Sequence, residues 1–97
     1  MWEFHVPLAH QHAFEEHYGP NGTWARLFRR SADYIETLLL KDSSTVGRYV
    51  TVDRWRDEEA FRTFRSAFAE QYEQLDLACE RLTTGEQLLG VFTECAA

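Results

Sequence analysis

The 97 residues suffice for one domain, and a domain of this size buries about two-thirds of its unfolded surface, so it can fold without disulfides or metal. Ten basic against sixteen acidic side chains give a net charge of −6, with the arginines interleaved among acids instead of gathered in a patch, which argues against nucleic acid and anionic membrane as partners. Cys79 and Cys95 form no CxxC or regular spacing, MWEFHVPL lacks the basic and long apolar parts of a signal peptide, and no apolar run approaches a membrane span, so a reduced, cytoplasmic protein without a zinc site is expected.

Residues 2 to 6, WEFHV, put Trp2, Phe4 and Val6 on one side and Glu3 and His5 on the other, a short strand stopped by Pro7. Residues 9 to 18 read as a helix with Phe14 and Tyr18 one turn apart and Glu15 and Glu16 outward. GPNG at 19 to 22 breaks the chain, and Thr23 is expected to cap a second short helix carrying Trp24, Leu27 and Phe28 on one face and Arg29 and Arg30 in its last turn. Residues 33 to 41, DYIETLLLK, predict a strand with two partly apolar faces, Tyr34, Glu36, Leu38 and Leu40 against Ile35, Thr37, Leu39 and Lys41. DSSTVG at 42 to 47 is short enough for a hairpin.

Residues 48 to 55 form the clearest strand, with Tyr49, Thr51, Asp53 and Trp55 on one face and Arg48, Val50, Val52 and Arg54 on the other. Asp57 then occupies an N-cap position, with Glu58 and Glu59 in the first turn of a long helix. At about 100° per residue, Phe61, Phe64, Phe68, Tyr72, Leu75, Cys79 and Leu82 fall within an arc of about 80°, a stripe read as core-facing or, given its rings, as the wall of a ligand cavity. Thr83, Thr84 and Gly85 end the helix, and residues 86 to 93 predict a last strand in which Gly90 permits a bulge or a close approach.

The order β, split α, β, β, α, β is that of a ferredoxin-like βαββαβ sandwich, an α+β fold with a four-stranded antiparallel sheet, helices on one face and strand order 4-1-3-2. Apolar residues on the uncovered face predict a homodimer packed sheet to sheet.

The spacing of Tyr49, Asp53, Trp55, Asp57, Ala60 and Phe61 resembles the antibiotic biosynthesis monooxygenase domain. The resemblance extends to WEFHV ending at Pro7, Phe14 on the first helix, DYIETLLLKD, and the closing LLGVF. It implies a dimeric α/β barrel of two ferredoxin-like protomers and oxidation of a phenolic or quinol-like compound by molecular oxygen without metal or flavin, in a pocket between helices and sheet. Relatives degrade haem, but many members carry a histidine on the second helix where this chain has Phe64, which argues against haem ligation of that kind. The stretch YGPNGTWARLFRRS is longer than in compact members and supplies Trp24 and Phe28 as pocket walls.

Such an oxidation needs aromatic walls and a base near neutral pKa. The expected substrate-binding residues are Trp2, Phe4, Trp24, Phe28, Phe64, Phe68 and Tyr72. Candidates for the catalytic groups are His17, the alternative being a solvated surface histidine, and Tyr72, which with Tyr34 can donate to an oxyanion. His5 has the parity of the dimer side and reads as an interface histidine. Asp53 reads as a dimer-face acid paired with Arg54 or Arg48 of the partner subunit, the alternative being a functional carboxylate. His10 and His12, at i and i+2, do not share a helix face, and a metal site formed with Glu16 would lack a defined third and fourth ligand, so none is read there; no phosphate loop, nucleophile elbow or triad is present. A non-catalytic dimeric module that binds a small molecule or serves a stress role is the alternative to an enzyme, and fold alone does not choose between them.

Overall fold

The computed structural model describes residues 1 to 96. Strand β1 (Trp2–His5) pairs antiparallel with β3 (Arg48–Trp55) on one side and with β4 (Gly85–Leu88) on the other, while β2 (Tyr34–Lys41) pairs antiparallel with the remaining edge of β3. The sheet therefore runs β2-β3-β1-β4, in an α+β architecture compatible with a ferredoxin-like fold. Between β1 and β2 the chain makes a 3-10 turn (Leu8–His10) and two short helices, α1 (Gln11–Tyr18) and α2 (Thr23–Phe28); between β3 and β4 lie α3 (Glu58–Ala67) and α4 (Ala69–Cys79).

Register decides what faces the helices. Trp2 lies opposite Thr51 and Leu88, and Phe4 opposite Tyr49 and Glu86, so the bulky side chains of β1 and β3 share one surface. Phe4, Tyr49, Phe14, Tyr18, Trp24, Phe28, Phe64, Cys79 and Leu82 are buried there in one core. Rings dominate it: Phe14 stacks on Tyr18 with centroids 4.2 Å apart, and Phe64 meets Phe28 at 5.4 Å and Trp55 at 5.2 Å. Edge and tilted pairs of this kind add specificity to simple burial.

Asp57 caps α3 as its position in the sequence suggests, its Oδ1 accepting the Ala60 N–H at 2.8 Å, with Glu58 and Glu59 in the first turn. The single long helix does not form. At Phe68 (φ −116°, ψ 31°) the backbone leaves helical geometry, and α4 begins at the next residue. The break spreads the ring stripe: Phe64, Cys79 and Leu82 are buried, whereas Phe61, Phe68, Tyr72 and Leu75 are only half-buried. Thr23 does not cap α2 either; Gly22 holds that position, and the Thr23 hydroxyl lies 2.9 Å from Nδ1 of His17. Glycine is required at 22, because a Cβ there would sit 2.6 Å from the carbonyl oxygens of both Glu16 and His17.

Two strand expectations also change. An irregularity of register between Tyr34 and Glu36 turns Tyr34 to the helix side with Thr37 and Leu39, not with Leu38 and Leu40. The closing strand stops at Leu88: Leu89 N–H still donates to Met1 O at 2.9 Å and Gly90 O accepts the Met1 amino group at 2.9 Å, and beyond them Val91 and Phe92 are exposed. On the outer face of the sheet Leu38 and Leu40 are exposed and Val50 and Val52 half-buried. Ion pairs frame them, Arg48 with Glu3 at 2.6 Å and Asp42 at 3.1 Å, and Arg54 with Glu36 at 2.6 Å and Glu94 at 3.3 Å. Among the described residues no helix is long and apolar enough to cross a membrane.

Candidate functional site

Between the helices and the inner surface of the sheet lies a cavity of about 40 Å³. Every layer contributes to it: Trp2 and Phe4 from β1, Tyr18 from α1, Trp24 and Phe28 from α2, Thr37 from β2, Thr51 and Asp53 from β3, Tyr72 and Asp76 from α4, and Glu86 from β4. The aromatic wall is continuous. Phe4 and Tyr18 meet at 4.9 Å, Trp24 and Phe28 at 5.8 Å, and Trp24 packs edge-on against Tyr72 at 4.9 Å.

Asp53 supplies the carboxylate of this wall. It shares the inward face with Tyr49 and Thr51, so it is not a dimer-face acid, and Arg48 and Arg54, of opposite parity, pair with acids on the other side of the sheet. Its Oδ1 accepts the Thr37 hydroxyl at 2.7 Å, and the Tyr34 hydroxyl lies 2.7 Å from the same Thr37 oxygen. With Asp53 ionised, Thr37 spends its only proton on the carboxylate and must accept from Tyr34. The result is a directed chain, Tyr34 to Thr37 to Asp53, from three strand positions that register alone brings together. Burial raises the Asp53 pKa from its ordinary value, with the Thr37 bond and the Met1 amino group pulling the other way.

The other polar groups follow the same physics. Glu86, at the exposed rim, is raised by partial burial and by the nearby charge of Asp76. Burial raises the phenols of Tyr18, Tyr34 and Tyr72, so all three are neutral donors at neutral pH; Arg65 opposes the shift at Tyr72, its guanidinium lying 3.9 Å over that ring. Trp24 and Trp55 each bury an indole N–H without a well-formed hydrogen bond, that of Trp24 lying beside the Tyr18 hydroxyl and the Cys79 thiol.

Comparison with known proteins finds no matching family model and no matching curated protein.

Of the residues expected to bind substrate, Trp2, Phe4, Trp24, Phe28 and Tyr72 line the cavity together. Phe64 and Phe68 do not. Their rings stack on each other at 4.9 Å, Phe64 fills the core beneath Phe28 and Trp55, and Arg30 lies over Phe68 at 5.9 Å. The division follows the break: Phe64 lies on α3 and Phe68 at its end, whereas Tyr72 lies on α4. His17 also lies outside the lining, held by Thr23. His5 is on the outer face of the sheet, 3.5 Å from Glu3, and His12 makes an exposed contact with Glu16 at 3.0 Å. No group of three or more metal-ligating side chains occurs among the described residues. Sequence reasoning missed Tyr18, Thr37, Thr51, Asp76 and Glu86; the first three were legible as inward positions once a face was assigned, whereas Asp76 and Glu86 carry no local signal.

Proposed function

We propose that this chain is a cofactor-independent monooxygenase-like protein, of the kind its sequence resembles, that acts on a small phenolic or quinol-like ring in the aromatic cavity with Asp53 as the proton acceptor. The observation that carries the reading is a carboxylate of raised pKa set among aromatic walls, where a ring hydroxyl would lie within its reach. Asp53 takes the phenolic proton, and the resulting electron-rich ring reacts with molecular oxygen. A quinol gives two electrons and two protons to form hydrogen peroxide; a ring methylene takes one oxygen atom as a carbonyl while the other leaves as water. Thr37 holds the carboxylate in place, and Tyr34 behind it offers a path by which the proton is exchanged outward. At about 40 Å³ the cavity holds a few waters, far below the roughly 300 to 1,000 Å³ of ligand sites, so a ring enters only as walls shift. Trp2 and Tyr72 are half-buried, and Tyr72 follows the break at Phe68, so these are the walls that move.

Oxygen uptake by metal-free protein with a panel of quinols and anthrones tests the reading. Turnover that Asp53→Asn abolishes while ligand binding persists is the expected result. No turnover with any ring that binds refutes it and favours the second reading, a non-catalytic dimeric small-molecule-binding module. The small cavity and the lack of an imidazole in its lining speak for that alternative. In either reading the proposed assembly is a homodimer of ferredoxin-like protomers, joined through the outer sheet face where Leu38 and Leu40 stand exposed between charged borders.

A further inference from the structure

We infer that Thr51 is a further catalytic residue of this cavity, the hydroxyl that donates to the ring oxygen once Asp53 has taken its proton. This rests on the proposed reading of the cavity as a place where a phenol is ionised.

Thr51 is 4% exposed and lines the cavity, yet its hydroxyl makes no hydrogen bond among the described residues. Register explains why. Its neighbours across the sheet are Trp2 on β1 and Leu39 on β2, which offer no side-chain acceptor, and Tyr49, next on its own strand face, gives its hydroxyl to Glu15. Thr37 is placed otherwise: it lies opposite Asp53 and spends its proton there at 2.7 Å. Nor is the Thr51 oxygen sealed in, as the indole nitrogens of Trp24 and Trp55 are. A hydroxyl this deep is seldom left unpaired, and what it opens on is the cavity.

Asp53 stands two positions along the same face. At about 3.3 Å of rise per residue the two Cα atoms are about 6.6 Å apart, so an oxygen set between the side chains comes within hydrogen-bond reach of both. Oδ1 of Asp53 holds the Thr37 proton, which leaves Oδ2 to receive another. In the proposed step the phenol O–H bond breaks, its proton passes to Oδ2, and the ring oxygen becomes negative. It then needs a donor. No lining residue is basic; the Met1 ammonium, which acts on Asp53, is bonded to Gly90 O at 2.9 Å, and the Arg65 guanidinium covers the Tyr72 ring. Tyr34 and Thr37 commit their protons to the chain that ends on Asp53, while Tyr18 and Tyr72 belong to the helix layer. Thr51 is the donor on the carboxylate's own strand face. A hydrogen bond to an anion is about twice as strong as one to a neutral oxygen, so this contact tightens as the proton leaves and favours the ionised ring.

4-Nitrophenol reads this step without turnover, because its phenol and phenolate absorb at different wavelengths. Its binding to the whole chain is followed by tryptophan fluorescence, since Trp2 and Trp24 border the cavity, and the ratio of phenolate to phenol in the bound probe by absorbance at one fixed pH. Thr51→Val keeps the shape and removes the hydroxyl, and should lower that ratio about tenfold. Thr51→Ser keeps the hydroxyl and should stay within about twofold of the unaltered chain. Without ligand, the urea midpoint of Thr51→Val should be unchanged or higher, because no bond within the fold is lost. An unchanged ratio in Thr51→Val overturns the inference and leaves the cavity and Asp53 standing. A ratio in Thr51→Ser as low as in Thr51→Val, or a lowered midpoint in the latter, assigns the side chain to packing and overturns it too. Failure of 4-nitrophenol to bind the unaltered chain and both variants overturns the inference together with the aromatic site. A lowered ratio in Thr51→Val, with no oxygen uptake by the unaltered chain on any quinol, upholds the inference and refutes only the oxidation.

Discussion

Replacing Phe64 with Ala distinguishes a packed ring from one that borders empty space. The side chain is 2% exposed, and its ring has Phe68 at 4.9 Å, Trp55 at 5.2 Å and Phe28 at 5.4 Å. Burial of such a ring contributes about 1.5–3 kcal/mol, and aromatic pairs add about 0.5–1.5 kcal/mol each with overlap between them. The vacated space cannot close while three large rings hold their places, so the loss should reach about 3–5 kcal/mol, the range for phenylalanine truncation in a packed core. Phe68, half-buried and at a helix break, should cost about 1–2 kcal/mol. Domains of this size are stable by only about 5–15 kcal/mol, so Phe64→Ala brings the chain close to unfolding, and Phe64→Leu, at about 1–2 kcal/mol, keeps the comparison measurable. Urea unfolding followed by circular dichroism, at unchanged m, gives the numbers. A loss below about 1.5 kcal/mol for Phe64→Ala, or a Phe68→Ala loss equal to it, refutes the packing argument and returns Phe64 to the cavity wall where the sequence placed it.

The pH dependence of stability follows from Asp53. Its folded pKa is raised, so as pH climbs above the unfolded value of about 3.9 the unfolded chain releases a proton that the native state still holds, and stability declines until the folded pKa is passed. Glu86 acts in the same sense. Asp53→Asn should therefore be more stable than the unaltered chain at pH 7, with the difference vanishing below about pH 3.9; a pH-independent difference, or a less stable variant at pH 7, would show that burial is not what raises this group. Light scattering at micromolar concentration should give twice the monomer mass, and Leu38→Glu with Leu40→Glu should halve it; a strict monomer in the unaltered chain sinks the sheet-to-sheet assembly. Asp57→Ala should cost about 1 kcal/mol through loss of the 2.8 Å cap, read from the urea midpoint, and no change would mean that Glu58 and Glu59 hold the helix start unaided.

The strand-to-helix junction at Trp55 and Asp57 was legible because two independent signals agree there: the period of the apolar residues changes from two to 3.6, and a capping acid stands at the change. The break at Phe68 was not legible for the opposite reason. No proline or glycine marks it, the ring stripe runs through it in phase, and its backbone ladder persists, with Phe68 N–H on Phe64 O and Tyr72 N–H on Phe68 O, both at 2.9 Å. What records it is the backbone at Phe68 itself, with φ −116° and ψ 31°. The closing strand failed similarly, since Leu88, Leu89, Val91 and Phe92 have strand-like chemistry, and it is the register, which sets Leu88 opposite Trp2 at the start of β1, that limits the pairing.

The cavity was half legible, and the half that was lost turns on how a two-faced strand is read. Parity put Asp53 with Tyr49, Thr51 and Trp55, and the size of those rings, against Val50 and Val52, decides which face goes under the helices. Neighbouring arginines suggested an ion pair instead, but neighbours in a strand point to opposite sides, and Arg48 and Arg54 answer Glu3 and Glu36 on the outer surface. A carboxylate that follows aromatic residues inward leaves the arginines of its own strand behind, and of the cations only the Met1 amino group acts on it. Its charge is then met by hydroxyls, Thr37 donating to it and Tyr34 to Thr37, or by retention of its proton.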